Sequence, residues 1–243
     1  MKAELYDTYR NIEATHWWFV VRRLIVEDIL KKYDIGKNAG ILDVGSNWGF
    51  FVGELQKQGF INTSGTDISE EAIRYGSERG IKNLSASKAE RLPFTDARFD
   101  LTMALDVVEH IKDDRAVLGE MSRVTKSGGY SFIMVPAYMF LWSLQDEVAQ
   151  HERRYTKKSF AEAISGSGFE VVRSTYFNTL LFIPIVAIRF LERCTKINRS
   201  SDFDLNNAFT NAVLKFIFGL ERYALRLFNF PFGVSLLIIL KKK

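Results

Sequence analysis

The chain of 243 residues is 47% hydrophobic, enough for one domain with a sizeable core and some embellishment. Its formal net charge of +4 is too small an excess to indicate nucleic acid by itself. The single cysteine, Cys194, excludes an internal disulfide and fits a reducing compartment.

The chain opens without an apolar signal core. Its most apolar run, residues 179–188, is shorter than the roughly 20 residues a bilayer-spanning helix needs. The expectation is a cytoplasmic protein, soluble or peripheral at the inner face of a membrane. Arg22, Arg23 and the basic residues Lys241, Lys242 and Lys243 would suit an anionic membrane surface.

In chain order, residues 16–32 predict an amphipathic helix with Trp17, Val20, Val21, Leu24, Ile25 and Leu30 near one face. Residues 41–44 predict a buried strand and residues 50–57 a helix after a glycine turn. Strand and helix follow at 62–67 and 70–78, and a third short strand at 83–87. A fourth strand is expected at 99–105, then a helix opening at Val107 and a second through 114–124. Residues 126–129 read as a turn and 130–135 as a fifth strand. A helix at 157–165, closed by Gly166 and Gly168, precedes a sixth strand at 169–176, and residues 234–240 read as the last strand. Strands alternating with helices predict a parallel sheet covered on both faces. Residues 177–231 break the rhythm with apolar helical stretches at 180–193 and 208–228, separated by the polar residues 198–202.

The run Ile41-Leu42-Asp43-Val44-Gly45-Ser46-Asn47-Trp48-Gly49 is a strand ending near an acid, then a glycine turn and a helix start; Gly65-Thr66-Asp67-Ile68 ends the next strand in a second acid. This layout cradles an adenosine-bearing cofactor at the edge of a parallel sheet. A buried carboxylate such as Asp43 is costly without a partner. Loop N–H donors, or the ammonium group of S-adenosylmethionine, would supply one. Asp67 would accept hydrogen bonds from ribose hydroxyls; the plainer reading makes it a helix N-cap. The G-x-x-x-G spacing and Asp43 argue against a nucleotide-dependent oxidoreductase.

With Leu92-Pro93-Phe94-Thr95-Asp96-Ala97-Arg98-Phe99-Asp100, Val108-Glu109-His110 and Arg123-Val124-Thr125-Lys126-Ser127-Gly128-Gly129 added in order, the chain resembles the class I S-adenosylmethionine-dependent methyltransferases across residues 39–136. The resemblance implies a Rossmann-like, mostly parallel seven-stranded sheet of order 3-2-1-4-5-7-6, with an antiparallel last strand. It implies S-adenosylmethionine as cofactor, bound by Asp43, Gly45, Gly49, Asp67, Ile68, Ala89 and Asp106. Asn47 stands where the family usually has glycine, and asparagine tolerates the left-handed backbone that such a turn requires. Lys88 stands where the family usually has an acid, leaving the Ala89 backbone for the adenine ring.

Methyl transfer is an in-line displacement that needs alignment, exclusion of water and sometimes removal of a proton. His151, in Gln150-His151-Glu152-Arg153-Arg154-Tyr155, is the candidate general base, with a solvated charged loop as the plainer reading; Arg154 and Tyr155 are the candidate acceptor-binding residues. His110 reads as structural, and Asp106 as a pocket residue or a helix cap. Trp17 and Trp18 would cap the pocket or pack in the core. No metal site is expected. Residues 1–36 would form a helical cap, and residues 177–231 an insertion covering a hydrophobic acceptor, a membrane surface or another subunit.

The expected reaction is O-methylation of a small or lipid-linked acceptor of the quinone, polyprenyl or glycan kind. A nucleic-acid methyltransferase is disfavoured, because Leu105-Asp106-Val107-Val108 lacks the Pro-Pro-aromatic element of amino-directed base methylation. A non-catalytic cofactor-binding module is the other alternative, supported by Asn47 and Lys88.

Overall fold

The computed structural model describes residues 3–195 and 207–243. The strands are β1 (Ile41–Val44), β2 (Thr63–Asp67), β3 (Leu84–Ala86), β4 (Phe99–Leu105), β5 (Thr125–Pro136), β6 (Phe169–Phe177) and β7 (Ser235–Lys242). They form one seven-stranded sheet in the order β3-β2-β1-β4-β5-β7-β6, as the resemblance implied. β7 runs antiparallel to both β5 and β6, and the other pairings are parallel.

Side chains alternate across the strands, so each strand feeds both faces of the sheet. One face carries Leu42, Val44, Ala104, Ile133 and Ile238, packed with α5 (Asp114–Val124) and α7 (Lys157–Ala163) through Val117, Leu118, Met121 and Phe160. The other carries Ile41, Met103, Phe132 and Ile239. These meet α2 (Trp17–Lys32), α3 (Phe50–Lys57) and α9 (Ala208–Leu227) through Val21, Ile25, Leu55 and Phe218. The remaining helices are α1 (Ala3–Ile12), α4 (Glu70–Glu78), α6 (Leu144–Ala149) and α8 (Phe182–Thr195).

The termini of the fold are tied together. Asp28 on α2 receives hydrogen bonds from both Arg222 (2.7 Å) and Arg226 (2.8 Å) on α9. The Asn211 side chain accepts from the Trp17 backbone N–H at 2.7 Å. Trp18 stacks on Phe218 and Phe177, with ring centroids 5.5 Å and 5.8 Å away.

Several sequence expectations need correction. On α2, Val20 and Leu24 are only half-buried, whereas Phe19, Val26 and Ile29 are buried, because the sheet and α9 together cover a wider face than one stripe. Arg22 is buried rather than a membrane-facing cation. No α-helix opens at Val107; a single 3-10 turn spans Val108–His110. Residues 126–129 loop out within a continuous β5, since Phe99 pairs with Thr125 and Leu101 with Tyr130. α1 falls within the expected helical cap of residues 1–36, where the sequence does not delimit it, and α6 has no counterpart in the sequence expectations. The polar residues 198–202 lie outside the described residues. Among the described residues no helix is long and apolar enough to cross a membrane.

Candidate active site

The parallel strands deliver their carboxyl ends to one edge of the sheet, where a cavity opens. Asp43, Gly45, Ser46, Asn47, Asp67 and Asp106 line one end; His110, Leu141, Ala149, His151 and Arg154 line the other. α2 and the segment before it contribute Glu13, Trp17, Trp18 and Arg22, and α8 contributes Ile185 and Arg189.

The loop after β1 is left-handed at Gly45, Asn47 and Gly49 (φ 71°, 54° and 79°). A Cβ on Gly45 would sit 2.4 Å from Val107 Cγ2, so that position needs glycine for contact as well as conformation. Asn47 adopts the backbone expected of it. Its N–H donates to Asp67 Oδ2 at 2.9 Å, joining the glycine turn to the end of β2. Asp67 Oδ1 accepts from the Ser69 N–H (2.9 Å) and the Tyr6 hydroxyl (2.8 Å). The N-cap of α4 is Ser69, so the plainer reading of Asp67 fails.

Burial pushes the Asp43 carboxyl up to about 7, opposed by Arg22 and reinforced by Glu13 and Asp67. Burial likewise pushes Glu13 up to about 7 against the pull of Arg22 and Arg23. The cavity wall also holds Ser46 Oγ, Asn47 Oδ1 and Glu13 Oε2, all buried and without a hydrogen-bond partner. A ligand with an ammonium group and hydroxyls would answer this set of acceptors, and S-adenosylmethionine carries both. Beside Asp67, Ile68 is 64% exposed, an apolar surface free to meet a flat ring. The residues present therefore fit that cofactor.

Asp106 follows β4 in a left-handed conformation (φ 60°) and caps no helix; the N-cap of α5 is Asp113. Its carboxylate pairs with Arg22, which also donates to the Leu105 carbonyl at 3.3 Å. Trp17 and Trp18 serve both roles expected of them, lining the cavity on one side and packing on Phe218 on the other.

At the far end, Asp146 is fully buried and organises its neighbours. His151 Nδ1 lies 2.7 Å from Asp146 Oδ1, and Arg154 spans both oxygens at 2.8 Å. The Ser143 N–H adds a further bond at 2.8 Å. Burial alone would raise the Asp146 pKa, but the hydrogen bonds from His151 and Arg154 outweigh it and hold the carboxyl well below the usual range. Glu109 is fully buried too, yet neither of its oxygens has a partner. Burial first, and Asp106 next, push its pKa well above the usual range. His110 is pushed down to about 3 by burial and by His151, so it is neutral, and its ring meets that of His151 at 4.5 Å.

Of the residues expected at the site, Asp43, Gly45, Asp67, Asp106, His151 and Arg154 line the cavity together. Gly49, Ile68 and Ala89 do not line it; Gly49 caps α3, its Cβ would collide with Leu84 at 2.7 Å, and Ala89 packs against the core. Tyr155 is a correction: it is a core residue whose hydroxyl donates to Asp114 at 2.8 Å, because its strand-like pairing with Ala137 turns the ring away from the cavity. Arg154 lines the cavity, but its guanidinium is engaged by Asp146. Sequence reading missed Glu13, Arg22, Glu109 and Asp146. Only Glu109 had a local signal, its place in the Val108-Glu109-His110 motif.

A family profile described as a methyltransferase domain matches residues 42–133. An uncharacterised protein of Methanocaldococcus jannaschii is 30% identical over 168 residues, covering 67% of this chain and 69% of the relative. Ajmaline N-methyltransferase of Rauvolfia serpentina is 25% identical over 181 residues, 72% of this chain and 61% of the plant enzyme. Among solved structures, a geranyl diphosphate methyltransferase in complex with S-adenosylmethionine superposes with a TM-score of 0.58 at 12% identity, covering 86% of this chain and 79% of its own.

Proposed function

Since the chain belongs to the class I S-adenosylmethionine-dependent methyltransferases, we propose that it methylates an oxygen of a small or lipid-linked, largely apolar acceptor, with His151 as general base. Quinone, polyprenyl and glycan compounds are the acceptor classes that suit this reading. When bound, S-adenosylmethionine supplies an electrophilic sulfonium methyl group.

On this reading the chain's own residues do the remaining work. Asp43 and Glu13 hold an ammonium group, Asp67 holds ribose hydroxyls, and Arg22 fixes Asp106 at the wall between the ends of the cavity. Trp17, Trp18 and Ile185 exclude water from the path of transfer. The observation that carries the proposal is the Asp146–His151 pair, 2.7 Å apart. A carboxylate kept ionised needs a donor, so Nδ1 carries the proton and Nε2 has its lone pair free. A neutral hydroxyl is a weak nucleophile and gains from a base that takes its proton. A neutral amine attacks with its own lone pair, so a base beside the transferred methyl matters less for it. Arg154, bound to the same carboxylate, positions the pair rather than binding the acceptor.

Exposed Ile183 and Phe190 on α8 and Phe209 and Phe216 on α9 support a further part of the reading, in which residues 177–231 roof the acceptor end and rest on a membrane surface.

Labelled S-adenosylmethionine, the purified chain and a panel of apolar hydroxyl and amine compounds test the proposal. Label should pass to hydroxyl compounds in the organic phase. His151→Gln should lower kcat by about 10²–10⁴-fold while cofactor affinity stays unchanged. Transfer to amines alone, or full activity in His151→Gln, would reject it.

A further inference from the structure

Glu109 has no counter-charge within hydrogen-bond reach; Arg154 acts on it favourably only from a distance. It is 0% exposed, both carboxylate oxygens lack a hydrogen-bond partner, and the acids Asp106 and Asp146 act on it unfavourably. Burying an ionised carboxylate in that condition is unfavourable unless a cation joins it. The nearby side chains are imidazoles. His110 presents a buried Nδ1 with no partner. His151 Nε2 lies 4.0 Å from Glu109 Oε1. One ligand atom from each of the three residues lies within 4.8 Å of the others.

We propose that Glu109, His110 and His151 form a binding site for a divalent transition-metal ion of the zinc class at the acceptor end of the cavity. Two imidazoles and one carboxylate are a donor set suited to zinc, cobalt, nickel or ferrous iron and unsuited to magnesium or calcium. A tetrahedral ion with bonds of about 2.1 Å holds its ligand atoms about 3.4 Å apart, a contraction within reach of side-chain rotation. The supporting layer is already in place. Asp146 holds His151 Nδ1, the usual means of fixing a ligating imidazole, and is itself held by Arg154 and Ser143. The Glu152 N–H donates to the Glu109 carbonyl at 2.7 Å, locking the loop that carries His151 against the turn that carries Glu109 and His110. Both histidines line the cavity, which gives an ion its entry path.

One consequence rests on the oxygen-acceptor reading given above. An Nε2 that ligates an ion cannot also accept a proton. In the loaded protein Glu109, His110 and His151 would hold the ion, which would supply Lewis-acid stabilisation of negative charge on an acceptor oxygen. His151 as base would then describe the metal-free chain.

The test is Co²⁺ titration of the untagged, metal-stripped full chain, read by visible absorption. The expected result is one equivalent of Co²⁺ with the intense bands of a low-coordinate site, displaced by Zn²⁺. Affinity should fall by about 10–100-fold in Asp146→Asn. The bands should vanish in Glu109→Gln and in His110→Gln. Glu109→Gln keeps the size and shape of the side chain and is expected to fold; circular dichroism and thermal unfolding check each variant. Failure of the native chain to bind Co²⁺, or unchanged bands in Glu109→Gln, would overturn the inference. Methyl transfer by the metal-stripped chain is a separate readout: its persistence and its dependence on His151 report on the base, whatever the cobalt spectrum shows.

Discussion

Asp43 is the residue where function and stability oppose each other most directly. Its carboxyl and that of Glu13 are both raised to about 7, chiefly by burial. In the cofactor-free chain the folded state therefore holds protons that the unfolded state has released, from the ordinary carboxylate range up to about 7. Stability falls as pH rises through that window, and the loss is complete above it. His16 and His110, lowered to about 4 and about 3 by burial, act with the opposite sign: their contribution is present above the ordinary histidine range and is lost progressively as pH falls from there to about 4 and about 3. Asp43→Asn removes its own share of the first effect and leaves that of Glu13 and the second effect in place. Thermal scans should show the variant melting about 2–4 °C above the native chain near pH 7.5, equivalent to about 1 kcal/mol, with the gap closing near pH 5. Calorimetric titration of the same variant should show S-adenosylmethionine affinity reduced at least about tenfold. A variant that gains no stability near neutral pH would contradict the burial argument.

At the scale of elements, what was legible was what is local. The strand–glycine turn–helix around Asp43 announces itself within one short run, and β1, α3, α4, β4 and α5 have the ends read from the sequence. The acceptor end did not, because its parts come from the turn after β4, from α6 and from the loop after it, and only folding brings Glu109, Asp146 and His151 together. Arg22 looked like a surface cation because its partners, the Leu105 carbonyl and Asp106, are distant in sequence. α6 is 6 residues long, too short for a 3.6-residue period to show. The interlock of α4 with the glycine turn is another non-local feature. A Cβ on Gly76 would lie 2.0 Å from the Trp48 carbonyl oxygen, whereas nothing lies within 4 Å of one on Gly119 in α5. Urea unfolding should show Gly76→Ala destabilised by about 1–3 kcal/mol or more, and Gly119→Ala stabilised by up to about 1 kcal/mol. Equal effects would mean that α4 can slide away from the turn freely.

At the scale of the molecule, the face formed by α8 and α9 is unlike the rest of the surface, with Phe190, Phe209, Phe216 and Leu227 all exposed. If it rests on a bilayer, vesicles should co-sediment the chain, and Phe209→Ser with Phe216→Ser should weaken partition by about tenfold or more. Anionic lipid should strengthen binding at low salt. No binding to neutral or anionic vesicles at any salt concentration would remove the membrane role. The order of the sheet has a consequence of a different kind. β7 follows β5 and β6 in the chain yet lies between them. A nascent chain leaving the ribosome therefore carries β5 with an unpaired edge, and β6 with no partner, until residues 235–242 emerge. The wall of the pocket next to β5 is then the last part of the enzyme to close, and unpaired strand edges of this kind are what chaperones shield during synthesis.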